Sequence, residues 1–200
     1  LAASIILILM LVSLMAFFIP TASAAQITSR KLTLSSSSAA ASNATTSYTF
    51  NFTVPSSTVL QSFEAQICTT ASGTCTTPTG FSNSSSTLSS QPTNLGDASG
   101  WVVSTATAGS LRISKSGNAA APTGSQTVVF GNVQNPTTAN QTFYARISTF
   151  SAANWTSAVD TGVVAASTAS QITVNMTVDE SLSFCAGTSI TGQNCGTISG

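Results

Sequence analysis

The chain has 200 residues and a formal net charge of zero, with five basic and five acidic side chains and no histidine. Proteins that bind nucleic acids need many Lys and Arg residues to neutralise phosphates, so this composition argues against a nucleic-acid partner. Solubility must come from hydroxyl and amide groups instead. A surface rich in Ser and β-branched Thr favours strands and is typical of extracellular β proteins.

The first 24 residues have the pattern of an export segment. Residues 1–19 are almost entirely apolar, and the small residues Ala22-Ser23-Ala24 follow shortly after them. This order is typical of a signal peptide and its cleavage site. We therefore predict a signal peptide that forms an N-terminal helix, a mature chain beginning at Ala25, and an extracellular or cell-surface location. The alternative is an uncleaved membrane anchor, because about 20 apolar residues can span a bilayer.

Apolar and polar residues alternate with a period of two along much of the remaining chain, which is the pattern of a strand with one buried face. The clearest predicted strands are residues 48–54, 63–67, 111–114, 143–148, 172–179 and 182–184. Weaker candidates are residues 27–34, 101–105, 127–133 and 162–166. No segment after the export segment carries a helical stripe with capping residues.

Many short strands at regular spacing indicate a sandwich or a barrel. The sequence predicts an all-β fold, a Greek-key β-sandwich of immunoglobulin-like or jelly-roll-like type, over residues 25–179. Residues 180–200 read as a disulfide-containing segment that starts a second β domain. Because the chain does not begin with Met and stops without a clear boundary, we expect both ends to be truncated.

The four cysteines fall into two close pairs, Cys68 with Cys75 and Cys185 with Cys195. In an oxidising compartment this spacing favours two local disulfides, although four cysteines allow three pairings. Zinc sites usually combine tighter Cys spacing with His, which is missing here.

A set of short segments resembles a family of uncharacterised secreted β-rich surface proteins of candidate-phylum, ultrasmall bacteria. The segments are QITSR (26–30), YTFNF (48–52), ICTTASGTC (67–75), NP (135–136), FYARI (143–147) and VDESLSFC (178–185). In similar proteins the last of these segments leads into a further β domain. The resemblance implies no activity and no site residues, because the family has none assigned.

An enzyme is not indicated. Without His, neither a Ser-His-Asp nor a Cys-His arrangement is available, and nothing marks a serine beside Lys115 as a nucleophile. A glycosidase needs two facing carboxylates, but Asp97 and Asp160 lie in turn-like sequence. The adjacent Asp179 and Glu180 would point to opposite faces of a strand. We expect no catalytic, cofactor-binding or metal-binding residues, and no cofactor.

Three aromatic residues are candidates for stacking on a ligand: Trp101, Tyr144 and Trp155. Tyr144 should point away from the face that carries Phe143, whereas each Trp has the alternative role of closing one end of a sandwich core. The first functional hypothesis is a secreted structural or adhesive module that contacts other surface proteins or surface glycans. The second is a carbohydrate-binding module.

The segment at residues 171–178 is regular, uncharged and rich in Ile, Val and Thr. If it formed an unprotected sheet edge, it could recruit another copy by strand pairing. The alternative is a central strand that is already paired on both sides.

Overall fold

The computed structural model describes residues 24–40 and 45–170, together with the backbone of Ser189–Ile190 and Ile198–Ser199. The predicted signal helix, the strand patterns at 172–179 and 182–184, and the Cys185–Cys195 pair lie outside the described residues. Within the described part, no helix is long and apolar enough to cross a membrane.

Every regular element in the described residues is a strand. The first six are β1 (Ala25–Gln26), β2 (Thr28–Leu34), β3 (Thr46–Thr53), β4 (Ser62–Cys68), β5 (Thr87–Thr93) and β6 (Val102–Ser104). The remaining six are β7 (Ser110–Ser114), β8 (Gln126–Val133), β9 (Thr142–Phe150), β10 (Ala158–Ser167), β11 (Ser189–Ile190) and β12 (Ile198–Ser199). The all-β prediction is therefore confirmed.

The chain divides into two compact units, Leu1–Ser170 and Gln171–Gly200. The first unit contains a six-stranded sheet in the order β1-β10-β9-β4-β7-β6 and a four-stranded sheet in the order β2-β3-β8-β5. In the second unit, β11 and β12 pair antiparallel, with Ser189 opposite Ser199.

The inner faces of the two larger sheets share one hydrophobic core, which is consistent with a β-sandwich. The Phe63 ring of β4 lies 5.7 Å from that of Phe50 and 5.3 Å from that of Phe52, both on β3 in the other sheet. Strand alternation places these rings inward, as predicted from the period of two. Further fully or almost fully buried members are Tyr48, Ala65, Ile67, Leu111, Ile113, Phe130, Phe143, Ala145 and Ile147.

The sequence did not indicate β5, the edge strand of the four-stranded sheet. Its residues are mostly Ser and Thr, and it contains Pro92. Proline is tolerated at a sheet edge because no neighbour there needs its missing N–H. The edge position explains why this strand lacks the alternating pattern of the buried ones.

Asp160 corrects a second expectation. Its sequence context was interpreted as a turn, but the residue lies in β10, opposite Thr149 of β9, and is fully buried. Asp160 Oδ2 accepts hydrogen bonds from Ser56 Oγ (2.9 Å) and Thr149 Oγ1 (3.3 Å). Asp160 Oδ1 is buried without a hydrogen-bond partner among the described residues, so the two hydroxyls satisfy one oxygen of this core carboxyl group and leave the other unpaired.

Candidate functional site

The six-stranded sheet presents a polar outer face on β4, β7 and β9. Glu64 lies between Arg112 of β7 and Ser148 of β9, and Gln66 lies opposite Arg146 of β9. These positions alternate with the buried residues of the same strands, so their side chains point away from the core. We call this surface the outer face.

The loop at residues 151–157, between β9 and β10, brings Trp155 onto the outer face. The indole N–H of Trp155 donates to the carbonyl oxygen of Phe63 at 3.2 Å, and the backbone at Trp155 has φ of 57°. The guanidinium carbon of Arg112 lies 5.1 Å from the centre of the Trp155 ring, which is a cation–π geometry. Trp155 remains partly exposed.

Arg112 links this aromatic ring to a carboxylate. Its Nη2 and Nε atoms each lie 2.8 Å from Glu64 Oε1, and its Nη1 donates to Thr107 Oγ1 at 2.6 Å. Because three donors and the ring hold one guanidinium, Trp155, Arg112 and Glu64 form a preorganised cluster. Both charged side chains are only slightly exposed, so solvent screens this pair less than it screens a pair at an open surface.

Trp101 does not belong to an exposed site. It is only 2 % exposed, and its indole N–H donates to the carbonyl oxygen of Asp97 at 3.0 Å. Its backbone N–H and C=O both bond to the side-chain amide of Gln91. This burial agrees with the alternative role of Trp101, in which the ring closes one end of the sandwich core.

Tyr144 lies on the outer face, as its position beside Phe143 predicted. It is partly buried and lies opposite Cys68 in the β4–β9 ladder. Of the three aromatic candidates, Tyr144 and Trp155 are the two that retain exposed surface.

A disulfide joins Cys68 and Cys75, as the sequence predicted. Arg146 of β9 holds the loop between these cysteines. Its Nε and Nη2 donate to the carbonyl oxygen of Thr70 at 3.2 and 2.9 Å, and its Nη1 donates to that of Gly73 at 2.7 Å. The loop is therefore attached to the outer face both covalently and by charge-assisted hydrogen bonds. Sequence reasoning missed this role of Arg146, because the partners are more than 70 positions away.

The remaining charged groups do not assemble a reactive centre among the described residues. Lys115 Nζ lies 3.5 Å from Asp97 Oδ2, and Asp160 is buried elsewhere. In the described part of the chain, no group of three or more His, Cys, Asp or Glu side chains could hold a metal ion.

No family model matches the chain, and neither a curated protein nor a solved structure shows significant similarity to it.

Proposed function

We propose that the chain is an exported structural or adhesive module of a cell surface, without catalytic activity. Its partners would be other surface proteins or surface glycans, and it would reach them through the exposed faces and loops of the sandwich. The apolar run at residues 1–19 followed by Ala22-Ser23-Ala24 supports export.

One observation carries this proposal: most charged side chains in the described residues are used for internal bonds. Arg112 pairs with Glu64, and Lys115 pairs with Asp97. Arg146 holds the disulfide loop. The exposed surface is consequently dominated by neutral hydroxyl and amide groups. Such a surface can approach another copy or a glycan without large electrostatic repulsion, and contacts made by it depend weakly on salt.

We further propose that the sandwich has Greek-key connections of immunoglobulin-like or jelly-roll-like type. The strand order supports this. In the six-stranded sheet β4 lies between β9 and β7, and in the four-stranded sheet β8 lies between β3 and β5. Neighbours so far apart in sequence require connections that cross between the sheets, as Greek keys do.

Self-association tests the adhesive proposal. In sedimentation at high protein concentration we expect the exported chain that begins at Ala25 to form oligomers at both 50 and 500 mM NaCl. If the segment at residues 171–178 supplies the contact, Thr173→Lys suppresses oligomers because a lysine protects a sheet edge. Thr74→Lys adds the same charge to the exposed disulfide loop and serves as the control. A monomer at both salt concentrations that also fails to bind envelope fractions would contradict the proposal.

A carbohydrate-binding module is the second candidate, and Trp155 is the observation that favours it. The ring is partly exposed beside the polar groups of Glu64 and Arg112, and aromatic rings beside hydrogen-bonding groups suit sugar recognition. We expect Trp155→Ala to abolish binding on a glycan array while the protein stays folded, with Tyr144→Ala as the second ring variant. An array with no bound glycan would remove this candidate.

A further inference from the structure

An open groove of about 610 Å³ lies along β1, β9 and β10 of the first unit. Its volume is within the range of small-molecule sites. The polar side chains that line it come from Gln26, Arg30, Arg146, Ser148 and Thr161. The groove therefore combines two guanidinium groups with one amide and two hydroxyls.

Three features of the fold position Arg30. The β2–β3 ladder shifts register between Thr28 and Lys31, and Ser29 has φ of 48°. Gly162 of β10 provides the space, because a Cβ at Gly162 would lie 2.6 Å from Arg30 Cδ. The stem of Arg30 thus packs directly on the backbone of β10, and its Nη1 donates to the carbonyl oxygen of Ile27 at 2.6 Å.

The groove has hydrogen-bonding capacity that the described residues do not use. A guanidinium has five N–H donors, and Arg30 uses one of them within the described part of the chain. The side chains of Gln26, Ser148 and Thr161 make no hydrogen bond to any described residue. Arg112 and Arg146 use most of their donors on described residues, so Arg30 is the guanidinium that keeps the most donors for a ligand.

The positive charge of the groove also lacks a compensating carboxylate. No Asp or Glu among the described residues lines it. Glu64, which lies opposite Ser148 in the β4–β9 ladder, is bonded to Arg112, and Asp160 is bonded to Ser56 and Thr149 within the core. The disulfide loop fixes the position of Arg146 through carbonyl and hydroxyl oxygens and supplies no carboxylate to it.

We propose that this groove binds an anionic polysaccharide whose sugar rings carry carboxylates, as uronic acids do. A guanidinium forms paired hydrogen bonds with a carboxylate. The amide of Gln26 and the hydroxyls of Ser148 and Thr161 match the hydroxyl groups of a sugar ring. The groove is open at the surface, so a polymer can pass through it without its chain ends entering. This inference gives a ligand class to the proposed surface module, and it rests on that proposal.

The test is calorimetric titration of the exported chain that begins at Ala25 with trigalacturonic acid, using the methyl ester of trigalacturonic acid as the uncharged probe. We expect trigalacturonic acid to bind, and binding to weaken as NaCl rises from 50 to 500 mM. Arg30→Gln should reduce the affinity about tenfold or more, because a charge-assisted hydrogen bond is lost. Gly162→Ala should have a similar effect, because the new Cβ displaces the stem of Arg30.

Lys31→Gln is the matched control. It removes the same charge from the neighbouring residue, which is exposed and does not line the groove, so we expect an unchanged affinity. The inference would be overturned if trigalacturonic acid did not bind, or if Arg30→Gln and Lys31→Gln reduced its affinity equally. It would also be overturned if the methyl ester or poly-glutamate bound with the same affinity as trigalacturonic acid. Loss of trigalacturonic acid binding with retained self-association would reject the groove alone. Binding of trigalacturonic acid by a chain that neither self-associates nor binds envelope fractions would reject only the adhesive proposal.

Discussion

At the scale of single residues, a buried polar network fixes one end of the core. The hydroxyl of Tyr48 donates to Asn135 Oδ1 at 2.9 Å. Asn135 Nδ2 in turn donates to the carbonyl oxygens of Ser36 and Ser38 at 2.8 and 2.9 Å. Tyr48 and Asn135 are both fully buried. This network links the segment after β2 to the segment after β8. Tyr48 therefore contributes a buried hydrogen bond to the core in addition to its packed ring.

Tyr48→Phe tests the network. We expect the free energy of unfolding in urea to fall by about 1–3 kcal/mol, because Asn135 Oδ1 is left buried without its donor. Tyr144→Phe removes a hydroxyl from the partly exposed outer face and should change stability far less. Equal effects of the two substitutions would contradict the assigned role of the network.

The same residue predicts an alkaline limit to stability. Burial raises the pKa of the Tyr48 phenol above its ordinary value of 10.0, because the charged phenolate is poorly solvated in the core. Above pH 10 the unfolded chain loses the phenol proton of Tyr48, whereas the folded chain keeps it. The free energy of unfolding is therefore highest below pH 10 and falls as the pH rises further. The slope approaches about 1.4 kcal/mol per pH unit. Urea titrations from pH 8 to 11 should show this decline in the natural chain and a flatter profile in Tyr48→Phe.

At the scale of elements, the disulfide loop between Cys68 and Cys75 is the best-anchored connection on the outer face. It leaves the end of β4 and returns to a contact with Arg146 of β9. The cross-link reduces the entropy of the unfolded chain, and the arginine satisfies loop carbonyls that would otherwise depend on water. The loop therefore presents a fixed surface beside Tyr144.

Replacing both Cys68 and Cys75 by Ser should lower the free energy of unfolding by about 2.5 kcal/mol, the loop-closure value for a loop of this length. Urea denaturation with and without a reducing agent measures the effect. In this variant the reducing agent should leave the unfolding midpoint of the first unit unchanged, because that unit no longer contains a disulfide. Peptide mapping that connected either cysteine to Cys185 or Cys195 would contradict the predicted pairing. The Cys185–Cys195 bridge itself stays a prediction.

At the scale of the whole molecule, β1 connects the proposed export step to the fold. Ala25 lies opposite Asp160, and Gln26 lies opposite Thr161, in parallel pairing with β10. Cleavage after Ala24 would keep both pairs and retain Gln26 at the groove. A cut two residues later would remove this strand.

We expect N-terminal sequencing of the exported protein to begin at Ala25. Ala24→Arg should block processing, because the cleavage site requires small side chains, and Gln26→Arg beyond the site should leave processing unchanged. Recovery of Leu1 in the exported protein would contradict this prediction and favour an uncleaved anchor.

The sequence by itself determined the β class, most strands of the first unit and which side chains face the core. The alternation of Phe50, Phe63, Leu111 and Phe143 with polar residues is local, and a strand converts it directly into two faces. The Cys68–Cys75 bridge was also accessible, because the two residues are close in the chain. These features depend only on residues that are close together in the sequence.

The tertiary structure alone decided which polar residues meet. Asp160 received buried hydroxyl partners, Trp101 entered the core, and Trp155 came to lie over Arg112. Arg30 reached the groove only because Gly162, more than a hundred positions away, leaves space on β10. These relations depend on strand order and register between distant segments, and the period-two pattern carries no information about which strands become neighbours.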